Sequence, residues 1–300
     1  MNNYVIFTDS ACDIKPELLK KWGVLHESLT FRFNDSETEY KDGSIDIKEF
    51  YDKMRAGGVA KTAAVNVETF SLNFEEHLKN GVDVLYLGFS SGLSTTYNSG
   101  RIAAEQLKEK YPDRKIITVD TLAASAGYGL LVYLAVQKKN GGATIEEVAA
   151  FAEETKLSIC HWFTVDDLVY LKRGGRVSAT TAFVGNALGI KPVMHVDNEG
   201  HLINITKVRG RKTAIAALAD KYAELAVDSE NGTVFISHGD CLKDVQELEK
   251  ILKERHNASV DVITDVGAVI GSHSGPGTVA LLTSQSCTSR RFLRSRVCAC

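Results

Sequence analysis

DVLYLGFSSGLSTTYNSG, residues 83–100, runs from an apolar stretch through a glycine- and serine-rich turn into the opening of a helix. Val84 to Leu87 read as a buried strand, and the strand is expected over 83–89. Past the turn, Leu93, Tyr97, Ala104, Leu107 and Tyr111 fall on one face of a helix expected over 94–110, spaced to lie against a sheet. A strand that feeds a helix through a short turn is the repeating unit of a parallel α/β sheet.

The same grammar extends outward in both directions. Upstream, Tyr4–Asp9 reads as a strand and Pro16–Trp22 as a short helix with proline in its first turn. Val24–Phe33 reads as one strand and Asp46–Arg55 as a helix, and Asn66 is placed to cap a helix running to about Lys79. Downstream come a strand at Lys115–Val119 and helices at about 123–139 and 144–158, the second opened by a Thr144/Glu147 capping box. The pattern predicts an α/β domain over residues 1–160 with a doubly wound, mostly parallel sheet. Ligands of such sheets sit beyond the carboxyl ends of the strands, here Thr8-Asp9-Ser10, Phe89-Ser90-Ser91-Gly92 and Asp120-Thr121.

After about residue 160 the pattern changes. Lys191–Val196 and His201–Val208 flank Asp197-Asn198-Glu199-Gly200, a turn signal for an antiparallel hairpin. Lys212–Ala226 and Leu242–His256 read as helices, Thr233–Ser237 and Val260–Thr264 as strands. Residues 161–285 are therefore expected to form a second α/β domain with a mixed sheet. No linker rich in proline or serine separates the two, so they should pack closely and share a ligand cleft.

Composition narrows the function classes. The 300 residues are 44% hydrophobic and 24% charged, as in a soluble globular protein, with formal net charge −3. That charge gives no reason to expect nucleic acid or an anionic membrane as the main partner. No apolar run is long enough to span a bilayer, and Met1-Asn2-Asn3-Tyr4 lacks the features of a signal peptide, so stable membrane insertion is not expected and a cytoplasmic location is. Cys12, Cys160 and Cys241 are too scattered for a disulfide or zinc framework. Cys287, Cys298 and Cys300 fall in an arginine-rich tail, 286–300, that reads as a basic or metal-binding peptide or as a frameshifted or appended segment without order. There is no phosphate-cradling G-x-x-x-x-G-K-[ST] and no G-x-G-x-x-G after a strand, so no nucleotide cofactor and no metal is expected.

Gly88-Phe89-Ser90-Ser91-Gly92 fits the G-x-S-x-G elbow of serine hydrolases, and Asp166, Asp167, Asp240 and His273 follow in the order such enzymes use. The same turn serves equally as an anion holder. Backbone N–H groups at a helix start, with the hydroxyls of Ser90, Ser91 and Ser94, suit a carboxylate or phosphate. Lys61-Thr62 adds a hydroxyl, and His273, in the glycine-rich loop 271–277, adds a donor from the other domain; singly, each also reads as an ordinary loop threonine or a structural histidine. Lys172-Arg173-Gly174-Gly175-Arg176, after a short helix presenting Leu168 and Leu171, and Val208-Arg209-Gly210-Arg211-Lys212 are basic clusters at element ends. They read as solvated charge, or as a platform for phosphate or an acidic surface.

Taken in order, Thr8-Asp9-Ser10-Ala11-Cys12-Asp13, Ser90-Ser91-Gly92-Leu93-Ser94, Phe163–Leu168 with Arg173–Arg176, Lys207–Lys212 and Gly271–Gly277 resemble the DegV family of bacterial fatty-acid-binding proteins over residues 3 to 282. The resemblance implies a long-chain fatty acid held between two domains as the only ligand. It implies a non-catalytic role as the acyl-carrying subunit of a fatty acid kinase. A separate ATP-binding kinase subunit would phosphorylate the carboxylate, and the acyl phosphate would feed phospholipid synthesis. Carried over by motif, Ser94 and Thr62 hold the carboxylate, with Ser91 and Gly92 in the same turn and His273 close by. Arg173, Arg176 and Arg209 face the kinase or its phosphates. Two stretches depart from the family: Thr62-Ala63-Ala64-Val65 replaces a T-S-Q-P-like sequence, and the Arg/Cys tail replaces a short apolar ending.

Overall fold

The computed structural model describes residues 3–178, 189–225 and 232–284, so the tail at 286–300 lies outside the described residues. Its strands are Tyr4–Asp9 (β1), Val24–Glu27 (β2), Thr30–Phe33 (β3), Tyr40–Lys41 (β4), Ala60–Ala63 (β5), Asp83–Gly88 (β6), Ile116–Asp120 (β7), Ile159–Thr164 (β8), Ile190–Val196 (β9), Leu202–Arg209 (β10), Val234–His238 (β11), Val262–Asp265 (β12) and Val279–Ser284 (β13). β2-β1-β6-β7 form an all-parallel sheet. Val84, Leu85, Tyr86 and Leu87 are all fully buried, which is why β6 shows no polar alternation. Order reverses between β1 and β6, so the turn at 89–95 stands at the switch point of the sheet.

The single strand expected over 24–33 is in fact two strands in two sheets. After Glu27 the chain leaves the parallel sheet. The Leu29 N–H donates to Ser10 Oγ (3.1 Å) and the Leu29 carbonyl accepts from Asp42 N (2.8 Å), which fixes the step. β3 then pairs antiparallel with β4 and β5. Thr62 therefore lies on a strand, β5, and not in a loop.

The later part of the chain builds a six-stranded mixed sheet, β10-β9-β8-β13-β11-β12, in which β11–β12 is the parallel pair. The hairpin Ile190–Arg209 forms as its turn signal predicts. Along β13, Ala280 and Leu282 face the core shared with the parallel sheet. Val279 and Leu281 face a second core with Trp162, Leu218 and Leu248.

The helix Ser125–Asn140 joins the two sheets. Ser125 to Val132 are all buried, because one side meets β8, β11 and β13 while the Tyr128 hydroxyl reaches Thr8 and Asp9 on the other. A helix covered on both sides has no polar stripe. Helix starts follow their caps: Asn66 Oδ1 accepts from Thr69 N (2.8 Å), and Thr144 and Glu147 complete their reciprocal box. The segment 271–277, expected as a loop, is helical as far as Ser274. Ala268 and Val269 bury one face there, and Ser272 Oγ bonds back to the Ala268 carbonyl (2.7 Å).

Candidate functional site

A cavity of about 460 Å³ lies between the parallel and mixed sheets. Its walls are largely apolar, with Phe89, Phe163, Leu171, Val269, Ala280 and Leu282 among them. Polar groups line it from the turn after β6, from β5 and from the helix Ala268–Ser274, and also at Ser125, His161, Ser237 and Thr278. Thr62, Ser91, Gly92, Ser94, Arg176 and His273 all line the cavity.

The turn after β6 is held from below. Asp9, fully buried at the end of β1, accepts from Tyr86 Oη (2.9 Å), Phe89 N (3.1 Å) and Ala11 N (3.2 Å). Burial lifts its carboxyl to about 6 against the pull of these donors. The backbone N–H groups expected to face a ligand are used within the protein. Ser91 N donates to Asp120 Oδ1 (3.2 Å) and Gly92 N to Ser90 Oγ (3.2 Å), while Leu93 N and Ser94 N both reach the Ser90 carbonyl. What the turn offers the cavity is side-chain hydroxyl. Ser94 Oγ accepts from Thr96 N (3.2 Å) and lies 2.9 Å from Thr96 Oγ1.

Ser90 is not placed as a hydrolase nucleophile. It is fully buried and its hydroxyl donates to the Gly200 carbonyl (2.9 Å). His273 bonds Thr62, and Asp166 pairs with Lys191 and Arg211, so the Ser–Asp–His order in the sequence assembles no triad among the described residues. Gly200 belongs to the turn of the β9–β10 hairpin, which thus docks on the turn after β6. The sequence marks that hairpin but carries no signal of where its tip lands.

His273 sits in the last turn of its helix with Nε2 2.8 Å from Thr62 Oγ1. Its Nδ1 is buried and has no hydrogen-bond partner among the described residues. Burial first, and then the Arg176 charge, push the imidazole down to about 4, so it is neutral at pH 7. Gly174 explains how the ring keeps its place: a Cβ there would stand 2.1 Å from Nδ1. Only a residue without a side chain lets the backbone pass so close.

Arg173, Arg176 and Arg209 do not form one exposed face. Arg173 and Arg209 are exposed, the former over the Tyr170 ring, but Arg176 turns inward. Its guanidinium spans the cavity edge, with Nε (3.2 Å) and Nη2 (2.8 Å) on the Leu93 carbonyl and Nη1 on that of Gly174. Burial holds it below the usual arginine range. No carboxylate pairs with it among the described residues, leaving a half-buried positive charge beside a neutral imidazole and two hydroxyls. Arg211, from the other basic cluster, is also structural: it holds Asp244 and the Gly277 carbonyl. No group of three or more His, Cys, Asp or Glu among the described residues is placed to hold a metal.

Fold and cavity define an α/β protein that encloses a ligand-sized chamber between two sheets. Residues 3–286 match the model of the DegV family, described as uncharacterised proteins. A DegV domain-containing protein of Clostridium perfringens is 43% identical over 282 residues, 94% of this chain and 97% of its own. The crystal structure of a DegV lipid binding protein from Thermotoga maritima superposes with a TM-score of 0.83 at 33% identity, covering 94% of this chain and 98% of that one. A stearic acid-binding protein from Eubacterium ventriosum gives a TM-score of 0.85 at 27% identity, with the same coverage. The chain belongs to the DegV family.

Proposed function

We propose that this protein binds a long-chain fatty acid in the cavity between residues 1–160 and 161–285, taken as two α/β domains. The observation that carries this reading is a largely apolar chamber in which Thr62, Ser94 and His273 line the wall together with an Arg176 that no carboxylate among the described residues pairs with. A fatty acid matches these with a long apolar body and a single anionic group. A buried carboxylate needs several donors to offset its lost hydration. Arg176, the hydroxyls of Thr62 and Ser94, and the Thr62–His273 pair are placed to supply them. Ser91 and Gly92 shape the turn without lending their N–H groups. About fifteen methylenes at ~0.8 kcal/mol each give ~12 kcal/mol of gross burial energy, before the cost of immobilising the chain. The lipid binding ascribed to the relatives from T. maritima and E. ventriosum supports the same ligand class.

In this reading the protein is a cytoplasmic, non-catalytic carrier. An ATP-binding kinase subunit phosphorylates the bound carboxylate, and the acyl phosphate goes to phospholipid synthesis. Arg173 and Arg209, exposed at element ends, are the groups for that partner, while Arg176 serves the ligand. The test is mass spectrometry of small molecules released on denaturing the purified protein, followed by acyl phosphate formation on adding the kinase subunit and ATP. Stoichiometric fatty acid is expected. A blank, together with no uptake of added palmitate or stearate, refutes the carrier.

A further inference from the structure

The cavity wall holds a second polar point, separate from Thr62, Ser94, Arg176 and His273. Ser125 opens the helix Ser125–Asn140 and Ser237 sits on β11, against which that helix packs, so the two meet at one point of the wall. Both line it, Ser237 fully buried and Ser125 nearly so. Their hydroxyl oxygens are 3.0 Å apart. Behind Ser125 stands Asp13, which bonds the Ser125 hydroxyl through Oδ2 and accepts from Gly267 N through Oδ1 (3.0 Å). Asp13 and Ser125 both hold left-handed backbone, at φ 51° and 52°, a conformation that side chains of L-residues disfavour and that surrounding structure must enforce.

The hydrogens in this row have two consistent orders. If the Asp13 carboxyl is ionised, Ser125 donates to it, Ser237 donates to Ser125, and Ser237 Oγ keeps a free lone pair. If the carboxyl carries a proton, the direction reverses and the Ser237 hydrogen is left free. Ser237 is the open end of the row in both cases. A saturated chain gives it nothing. A hydroxyl donates and accepts, so it completes the row in either order.

We propose that Ser237, backed by Ser125 and Asp13, is a second recognition point that selects acyl chains carrying a hydroxyl group along their length. This rests on reading the cavity as an acyl-chain site. An alcohol group taken into an apolar tunnel without a partner weakens binding, and one that meets a matched partner does not. The geometry therefore favours a hydroxyl at the depth of Ser237 over depths where the wall is apolar, as at Phe163, Val269, Ala280 and Leu282.

The test compares stearate with a series of monohydroxystearates in which the hydroxyl moves stepwise along the chain, by competition against a fluorescent fatty acid. The wild type should prefer one or two neighbouring positions by about tenfold or more over the remaining isomers. Ser237→Ala should erase that optimum while stearate affinity stays within about threefold. A wild type without a positional optimum overturns the proposal and leaves Ser125–Ser237 as a seam between sheets. So does an optimum that survives in Ser237→Ala. If Ser237→Ala does not fold, the wild-type series decides alone. If stearate binds and no isomer is favoured, this inference fails and the carrier reading stands. If neither stearate nor any isomer binds, both fall.

Discussion

Gly174→Ala tests the anionic end of the cavity without substituting any of its polar side chains. Gly174 has φ −73°, so alanine costs nothing in backbone strain. The added methyl would stand 2.1 Å from His273 Nδ1, where carbon–nitrogen contact needs about 3.3 Å. The ring must therefore yield by about 1.2 Å. If it moves away along that line, the Thr62–His273 separation leaves its present 2.8 Å for about 4 Å or is compressed into clash, and in either case the hydrogen bond is lost. Overpacking of this kind costs about 1–3 kcal/mol of stability. Loss of one oriented donor pair to a buried carboxylate weakens ligand binding by about 10- to 100-fold. Gly175→Ala is the control. Its Cβ would meet nothing within 4 Å, but φ is +72°, so it costs about 1 kcal/mol of stability and leaves His273 in place. Fatty-acid affinity by fluorescence competition, and the His273 ring signals by NMR, should change in the first variant and hold in the second. Unchanged affinity and ring signals in Gly174→Ala would show that the imidazole position does not matter to the ligand.

Thr62→Val and Ser94→Ala each remove a hydroxyl from the anionic end and should lower fatty-acid affinity by about tenfold or more, read by titration; parent-like binding removes that residue from the head-group set. Replacing Arg173 and Arg209 together by alanine should leave fatty-acid affinity within a few-fold and slow acyl phosphate formation by about tenfold or more, the defect changing with salt. Loss of lipid binding instead would place these arginines on the ligand. The folded pKa of His273, about 4, lies below the unfolded value near 6.5, so its neutral burial contributes stability above pH 6.5 that is lost as pH falls toward 4. Between pH 7 and 5 that loss is about 2 kcal/mol, and urea titrations of ligand-free protein should show His273→Gln losing that much less than the parent.

Much of the fold was legible because its signals are local. Asn66, Thr144 and Glu147 mark helix starts by hydrogen bonds made within a few residues. Val84–Leu87 announces a strand buried on both faces through its composition alone. The failures were places where a distant partner decides. Nothing between Val24 and Phe33 says that the chain changes sheets, because Ser10 and Asp42 set that step from elsewhere. The helix Ala268–Ser274 was hidden by glycines that its packing tolerates. Thr62 and His273 were found by pattern, but their 2.8 Å contact joins residues 211 apart in sequence. Arg176 looked like its exposed neighbour Arg173, and only the Leu93 carbonyl across the cavity separates their roles.

The strand order of the mixed sheet also sets a timetable. β8 is made at residues 159–164, yet its neighbour on one side is β13, residues 279–284, which is also the strand that carries Ala280 and Leu282 into the chamber. The parallel sheet, by contrast, has all its strands once residue 120 has been synthesised. A chain growing from its N-terminus can therefore complete one wall of the chamber early, while the other stays split until nearly all described residues exist. On the carrier reading, loading would therefore follow the synthesis of β13. A nascent chain halted before β13 would display an apolar sheet face with its central strand missing, which is a target for chaperones and not a container for lipid.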